Sequence, residues 1–195
     1  MKKYPTAAEL EKCLQDLEKR IDPAVEDDLH AQWRLFTDGQ FRGDVFRPAR
    51  KSRSEPSLQW PEVHINRAQE DETAMLLSQY QDGSATLAAG KGSFMCVRSN
   101  YGTGILPSLF GAELFIMDEA MNTLQTTKPL PGIEAIEAVV HRGAPDLYGG
   151  LGKKVFDTGH RFVEVARRFP GIAKYVHIYH PDLQSPMDVV ELLWG

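Results

Sequence analysis

His180 and Asp182 flank Pro181 just beyond the aromatic, apolar run Tyr175 to Tyr179. An imidazole and a carboxylate placed together after a strand end are the residue types of a general acid and base, or of a clamp for a charged group. A capped turn in which His180 bonds Asp182 accounts for the same residues equally well. A second such stretch, SNYGTGILPSLFGAE from Ser99 to Glu113, follows the apolar run Phe94 to Val97. Here Arg98 can bind an anion, Ser99, Asn100 and Tyr101 offer polar contacts, and Gly102 and Gly104 let backbone approach a ligand. A tight strand exit requires the same glycines. Tyr179 shares a strand face with Tyr175 and His177, whose rings line an interior or fill it. Arg47, Arg50, Lys51 and Arg53 fall within seven residues. That density suits bidentate binding of carboxylates or phosphates, although such a run is more often a solvated loop. His180 and Asp182 are therefore the catalytic candidates. Arg98, Asn100, Tyr101, Gly102, Gly104, Tyr179, Gln184, Arg47 and Arg50 are the candidates for holding a ligand.

Other patterns fail on spacing. In GSATLAAGKGS, six residues separate Gly83 from Gly90 where a phosphate loop needs four, and Gly92 follows Lys91 where a Ser or Thr must hold magnesium. His177 and His180 are three apart, which on a strand sends them to opposite faces, so they do not share a metal and no metal site is assigned. His64, His141 and His160 have no ligand-like neighbours and receive no role.

The elements that must position these residues follow from periodicity and caps. Thr6 and Glu9 form a capping-box pattern ahead of a stripe through Leu10, Cys13, Leu14, Leu17 and Ile21. Asp22 and Pro23 start a second helix that ends at Asp38 and Gly39. From Gln40 to Pro61 no period is sustained, which predicts an ordered but irregular excursion. Asn66 is placed to cap a third helix, with Asp82 and Gly83 as its stop. Phe94 to Val97 reads as a strand covered on both faces. Leu114 to Met117 is a second short apolar run, and Asn122 to Gly132 a loop. Helices follow around Ile133 to Val140 and Leu151 to Phe169, the latter closed by Pro170 and Gly171. Tyr175 to Tyr179 is a strand, and Met187 to Trp194 a helix capped near Ser185. Strands separated by helices predict an α/β fold with a mostly parallel sheet and a site at the strand C-terminal ends.

A chain of 195 residues is long enough for one substantial core, and a single domain is expected. Hydrophobic content of 42% beside 25% charged residues excludes disordered and collagen-like classes. The net charge of −5 speaks against a nucleic-acid surface. No window approaches the roughly 18 apolar residues of a membrane span, and MKKYPTAAELEK lacks an apolar signal core. A cytoplasmic protein without membrane contact is expected, with Cys13 and Cys96 as buried thiols.

The segments VRSNYGTGILPSLFGAELF, LQTTKPLPG, PDLYGGLG and YVHIYHPDLQSPMDVVELLWG resemble the uroporphyrinogen decarboxylase superfamily, which also contains corrinoid-dependent methyltransferases. They span Val97 to Gly195, and the likeness is closest to an uncharacterised bacterial branch. The resemblance implies a (β/α) barrel of the TIM type preceded by N-terminal helices, with residues 1–65 as helices and excursion and 66–195 as the first part of the barrel. Arg47-Pro48-Ala49-Arg50 is a shortened echo of the Arg-Gln-Ala-Gly-Arg-Tyr loop that holds substrate carboxylates in the decarboxylases. Gly102 aligns with their pyrrole-binding aspartate. The activities implied are corrinoid-linked methyl transfer on a small methylated compound, with a corrinoid protein as partner and zinc ligands beyond residue 195, or chemistry on a tetrapyrrole, as in the decarboxylase itself. A barrel takes roughly 250 residues, so an N-terminal portion of a longer member is expected. Folded alone, its open sheet edge would call for a second copy, hence a homodimer. A non-catalytic ligand-binding or subunit role is the alternative.

Overall fold

The computed structural model describes residues 4–195. In chain order the elements are α1 Ala7–Arg20, α2 Pro23–Thr37, α3 Ile65–Glu70, α4 Glu72–Ala89, β1 Met95–Val97, α5 Ile105–Leu109, β2 Leu114–Phe115, β3 Thr126–Thr127, α6 Ile133–Arg142, α7 Gly152–Arg168, α8 Pro170–Tyr175, β4 Val176–Ile178 and α9 Pro186–Trp194. They form two compact units. The first comprises 1–62, 76–97 and 162–179, and the second 63–75, 98–161 and 180–195.

In the first unit, β1 and β4 pair in parallel with Met95 opposite Val176, Cys96 opposite His177 and Val97 opposite Ile178. Met95 and Val97 are buried, whereas Cys96 and His177 are exposed on the other face, so the strand is not covered on both sides and Cys96 is not the buried thiol expected. α1 forms as its signals dictate: Thr6 Oγ1 accepts from Glu9 N, and the Glu9 carboxylate accepts from Thr6 N. Such a cap contributes about 1 kcal/mol. Its stripe of Leu10, Cys13, Leu14 and Leu17 is buried, and so is Asp16 on the same helix. Asp16 accepts from Ser57 N at 2.8 Å, Trp60 Nε1 at 3.1 Å and Arg20 Nη1 at 3.2 Å. Burial alone would raise this carboxyl, but the donors from Ser57, Trp60 and Arg20 outweigh it and hold it below the ordinary aspartate range. Arg20 continues the network to the carbonyls of Ser54 and Ser84. The irregular excursion is thus tied to α1 and α4 by hydrogen bonds rather than by a periodic apolar face.

In the second unit, β2 and β3 form a separate antiparallel pair, Leu114 opposite Thr127 and Phe115 opposite Thr126. Ala68, Met75, Tyr101, Ile105 and Leu151 make its core, with Val63, Leu114 and Val155 packed against them. α9 begins where Ser185 and Asp188 complete a capping box.

The expected (β/α) barrel, TIM-type or partial, is overturned. Among the described residues the strands are two or three residues long and fall into two separate two-stranded sheets, while nine α-helices carry most of the ordered chain. A barrel requires each strand to be bonded in parallel on both sides. Among the described residues only β1 and β4 pair in parallel, and each is bonded on one side alone. The apolar run at Leu114 turns instead to Thr126 and Thr127, inside the segment that reads as a loop, and pairs in the opposite direction.

The one helix expected from Asn66 to Gly83 is two, α3 and α4, parted at Asp71, and its start and stop also differ from expectation. His64, not Asn66, caps α3, its Nδ1 accepting from Asn66 N at 3.4 Å. α4 runs straight through Asp82 and Gly83 to Ala89. Buried Tyr80 and Leu87 lie on either side of those residues, and packing of that face overrides the weak helix propensity of Gly83.

Candidate functional site

Within the second unit, Arg98 Nη2 lies 3.9 Å from Asp182 Oδ2, and both side chains are about one-third exposed. Asp182 Oδ1 accepts from Gln184 Nε2 at 2.9 Å. Gln184 in turn stands in the wall of a cavity of about 630 Å³. That volume lies within the range of about 300–1,000 Å³ usual for small-molecule sites. Its walls come from Leu106 and Phe110 of the α5 region, Ile136 and Val140 of α6, and Val190 and Trp194 of α9. The sequence builds this cavity because α6 is amphipathic, yet none of its residues is buried, so its Ile136, Val139 and Val140 face is spent on the cavity wall. Leu130 N donates to Leu193 O at 2.8 Å and holds the approach to α6 against α9. Gln184 is the polar exception in an apolar lining, and it leads directly to a carboxylate and a guanidinium.

The loop after β1 is largely turned inward. Tyr101 is fully buried, and its hydroxyl is 2.7 Å from Thr158 Oγ1. Burial pushes the phenol up to about 12, while the Thr158 hydrogen bond works the other way. The Lys154 ammonium lies 5.1 Å from the centre of the Tyr101 ring and donates to the Gln69 carbonyl. Desolvation lowers the Lys154 pKa. Ser99 Oγ donates to Val155 O at 2.8 Å. Asn100 Oδ1 is buried with no hydrogen-bond partner among the described residues. Gly102 and Gly104 face the protein itself. A Cβ on Gly102, where φ is +75°, would come within 2.6 Å of Gln125 O, and one on Gly104 within 3.2 Å of Thr127 Cγ2.

The remaining candidates are placed otherwise. His180 is exposed, its Nδ1 2.7 Å from the Pro181 carbonyl oxygen. Tyr179, Arg47 and Arg50 belong to the first unit. Tyr179 and Arg47 are exposed there, and Tyr179 N donates to Val97 O at 2.8 Å. Arg50 is buried and forks onto Glu26, with Nε–Oε1 at 2.6 Å and Nη2–Oε2 at 2.8 Å, and it also bonds the carbonyls of Lys91 and Ser93. Of the eleven candidates, therefore, Arg98, Asp182 and Gln184 are joined into one chain of contacts. Lys154 and Thr158, which support Tyr101, carry no sequence signal beyond their place on a helix.

No family model, curated protein or solved structure matches the chain. Among the described residues no group of three or more His, Cys, Asp and Glu side chains is arranged to hold a metal ion. Nor is any helix of the described residues long and apolar enough to cross a membrane.

Proposed function

We propose that this protein binds a small amphiphilic molecule with an anionic group, as an enzyme of the uroporphyrinogen decarboxylase type that its sequence resembles. The observation that carries the reading is Gln184, which lines the apolar cavity and bonds an Asp182 already paired with Arg98. An apolar body fits the α5, α6 and α9 walls. An anionic end fits Arg98, a partly exposed guanidinium whose pair with Asp182 at 3.9 Å is worth only about 0–1 kcal/mol.

A tetrapyrrole, with apolar ring faces, N–H groups and carboxylates, meets these requirements better than a small methylated compound. Methyl transfer with a corrinoid protein as partner is the other activity carried by the resemblance. A cytoplasmic setting agrees with two free cysteines, Cys13 and Cys96. Titration of the protein with a carboxylated porphyrin, read by quenching of its fluorescence, tests the reading. Saturable binding is expected, weakened by Val190→Asp, which puts a charge on an exposed wall residue, and by Arg98→Gln. Undiminished binding by both variants would sink it.

A second reading, ligand binding without turnover, is favoured by the state of the acid–base candidates. His180 is exposed beside its neighbour's carbonyl, and Asp182 is engaged by Gln184 and Arg98. Porphyrin binding without loss of carboxylate from a porphyrinogen supports this reading over the enzymatic one.

A further inference from the structure

We infer that the first unit carries an anion site, built for a phosphoryl group, in a polar cavity of about 300 Å³ walled by the ends of α1 and α2 and by the segment 50–54. The basic run Arg47 to Arg53 is resolved by the fold into spent and unspent cations. Arg50 is neutralised by Glu26 and Lys51 by Asp28. Arg20, which also lines the cavity, is paired with Asp16 and bonded to the carbonyls of Ser54 and Ser84. These two guanidiniums are fixed, and their charge is cancelled by their own carboxylates.

Arg53 and Lys19 also line the cavity, and neither has a hydrogen-bond or ion-pair partner among the described residues. The same holds for the hydroxyls of Ser52 and Ser54, whose positions on the wall make them donors to an oxyanion. Asp22 opposes them, although its Oδ1 is already engaged by Ala24 N at 2.9 Å. The unspent charges leave a positive excess in a chain of net −5.

The donor set selects the ligand chemistry. A guanidinium fork, an ammonium and two hydroxyls supply more donors than the two oxygens of one carboxylate take up, and they suit the three terminal oxygens of a phosphoryl group. The cavity is larger than one phosphate ion and stands at the small end of ligand sites, so a diphosphate or a phosphate ester is favoured over the free ion. This site shares no residue with the apolar cavity of the second unit and stands whether or not that cavity binds a tetrapyrrole.

Calorimetric titration of the full chain with inorganic phosphate, pyrophosphate and succinate tests the inference. Saturable heat is expected, strongest with pyrophosphate and weakest with succinate. Arg53→Gln and Lys19→Gln each remove one charge-assisted contact and weaken pyrophosphate binding by about tenfold. Both side chains are exposed, so the circular dichroism of the variants should match the parent. Asp22→Asn keeps a side-chain cap for α2 while removing the opposing charge, and should tighten binding. Absence of saturable heat, unchanged affinity in Arg53→Gln and Lys19→Gln, or succinate binding as tightly as pyrophosphate would each overturn the site.

Discussion

Gln184 holds its amide nitrogen 2.9 Å from Asp182 Oδ1 while its side chain lines the apolar cavity, so the charged and apolar parts of the second unit meet at this one residue. Gln184→Leu keeps the cavity wall and removes the donor to Asp182. It should bind a long-chain alcohol at least as well as the parent, yet lose the parent's preference for the matching carboxylate. Competition between the two ligands for one fluorescent probe reads the ratio. An unchanged preference would detach Asp182 and Arg98 from the cavity.

The buried pair of Glu26 and Arg50 predicts an asymmetric response. Both side chains are almost wholly enclosed. Removing one charge strands the other, which typically costs about 3–5 kcal/mol. Glu26→Gln should therefore lower the urea midpoint strongly. The double replacement Glu26→Leu with Arg50→Met should recover most of that loss, since an apolar pair of similar volume carries no stranded charge.

His30 predicts how stability responds to acid. Its ring stacks on His177 with centroids 5.7 Å apart and meets Phe94 and Tyr175 edge-on. Burial lowers its pKa below 6.5, and the nearby His177 adds to that, with Lys174 in the same sense and Glu26 and Asp27 opposing. The unfolded chain therefore takes up this proton before the folded chain does. Stability falls as the pH drops through about 6.5 and stops falling once the folded imidazole also titrates. Denaturation midpoints measured across this window should show the loss, and His30→Phe should flatten it.

Two glycines separate backbone freedom from close packing. Gly102 and Gly111 both have positive φ, but a Cβ on Gly102 would press on Gln125 O whereas one on Gly111 meets nothing within 4 Å. Gly111→Ala should cost only the left-handed penalty of about 1–2 kcal/mol. Gly102→Ala should cost clearly more, visible as the larger drop in thermal midpoint.

Local signals in the sequence transmit well where one residue pair decides the outcome. The Thr6–Glu9 and Ser185–Asp188 caps set the starts of α1 and α9, Pro23 opens α2, and the apolar runs at Met95 and Val176 become strands. What could not be read is which strands pair, because register and direction depend on contacts distant in sequence. Leu114 has the same apolar signature as Met95 but finds Thr127 in the opposite sense. At the site, Asp182 and Gln184 lie in a polar turn that the sequence marks. The tie from Arg98 to Asp182 spans most of the second unit and has no local sign. Arg47 and Arg50 look alike in the run, and only the position of Glu26 on α2 determines that Arg50 is consumed internally.

The two cysteines differ in a way that is useful at the bench. Cys13 is enclosed in the α1 stripe with its thiol pushed up to about 11, whereas Cys96 is an exposed residue beside His177 on the β1–β4 pair, its thiol also raised by partial burial. Only one of them can meet a maleimide while the chain stays folded. The unaltered protein thus offers a single handle for attaching a dye or a spin label, and burial of Cys13 does what replacing it would otherwise have to do.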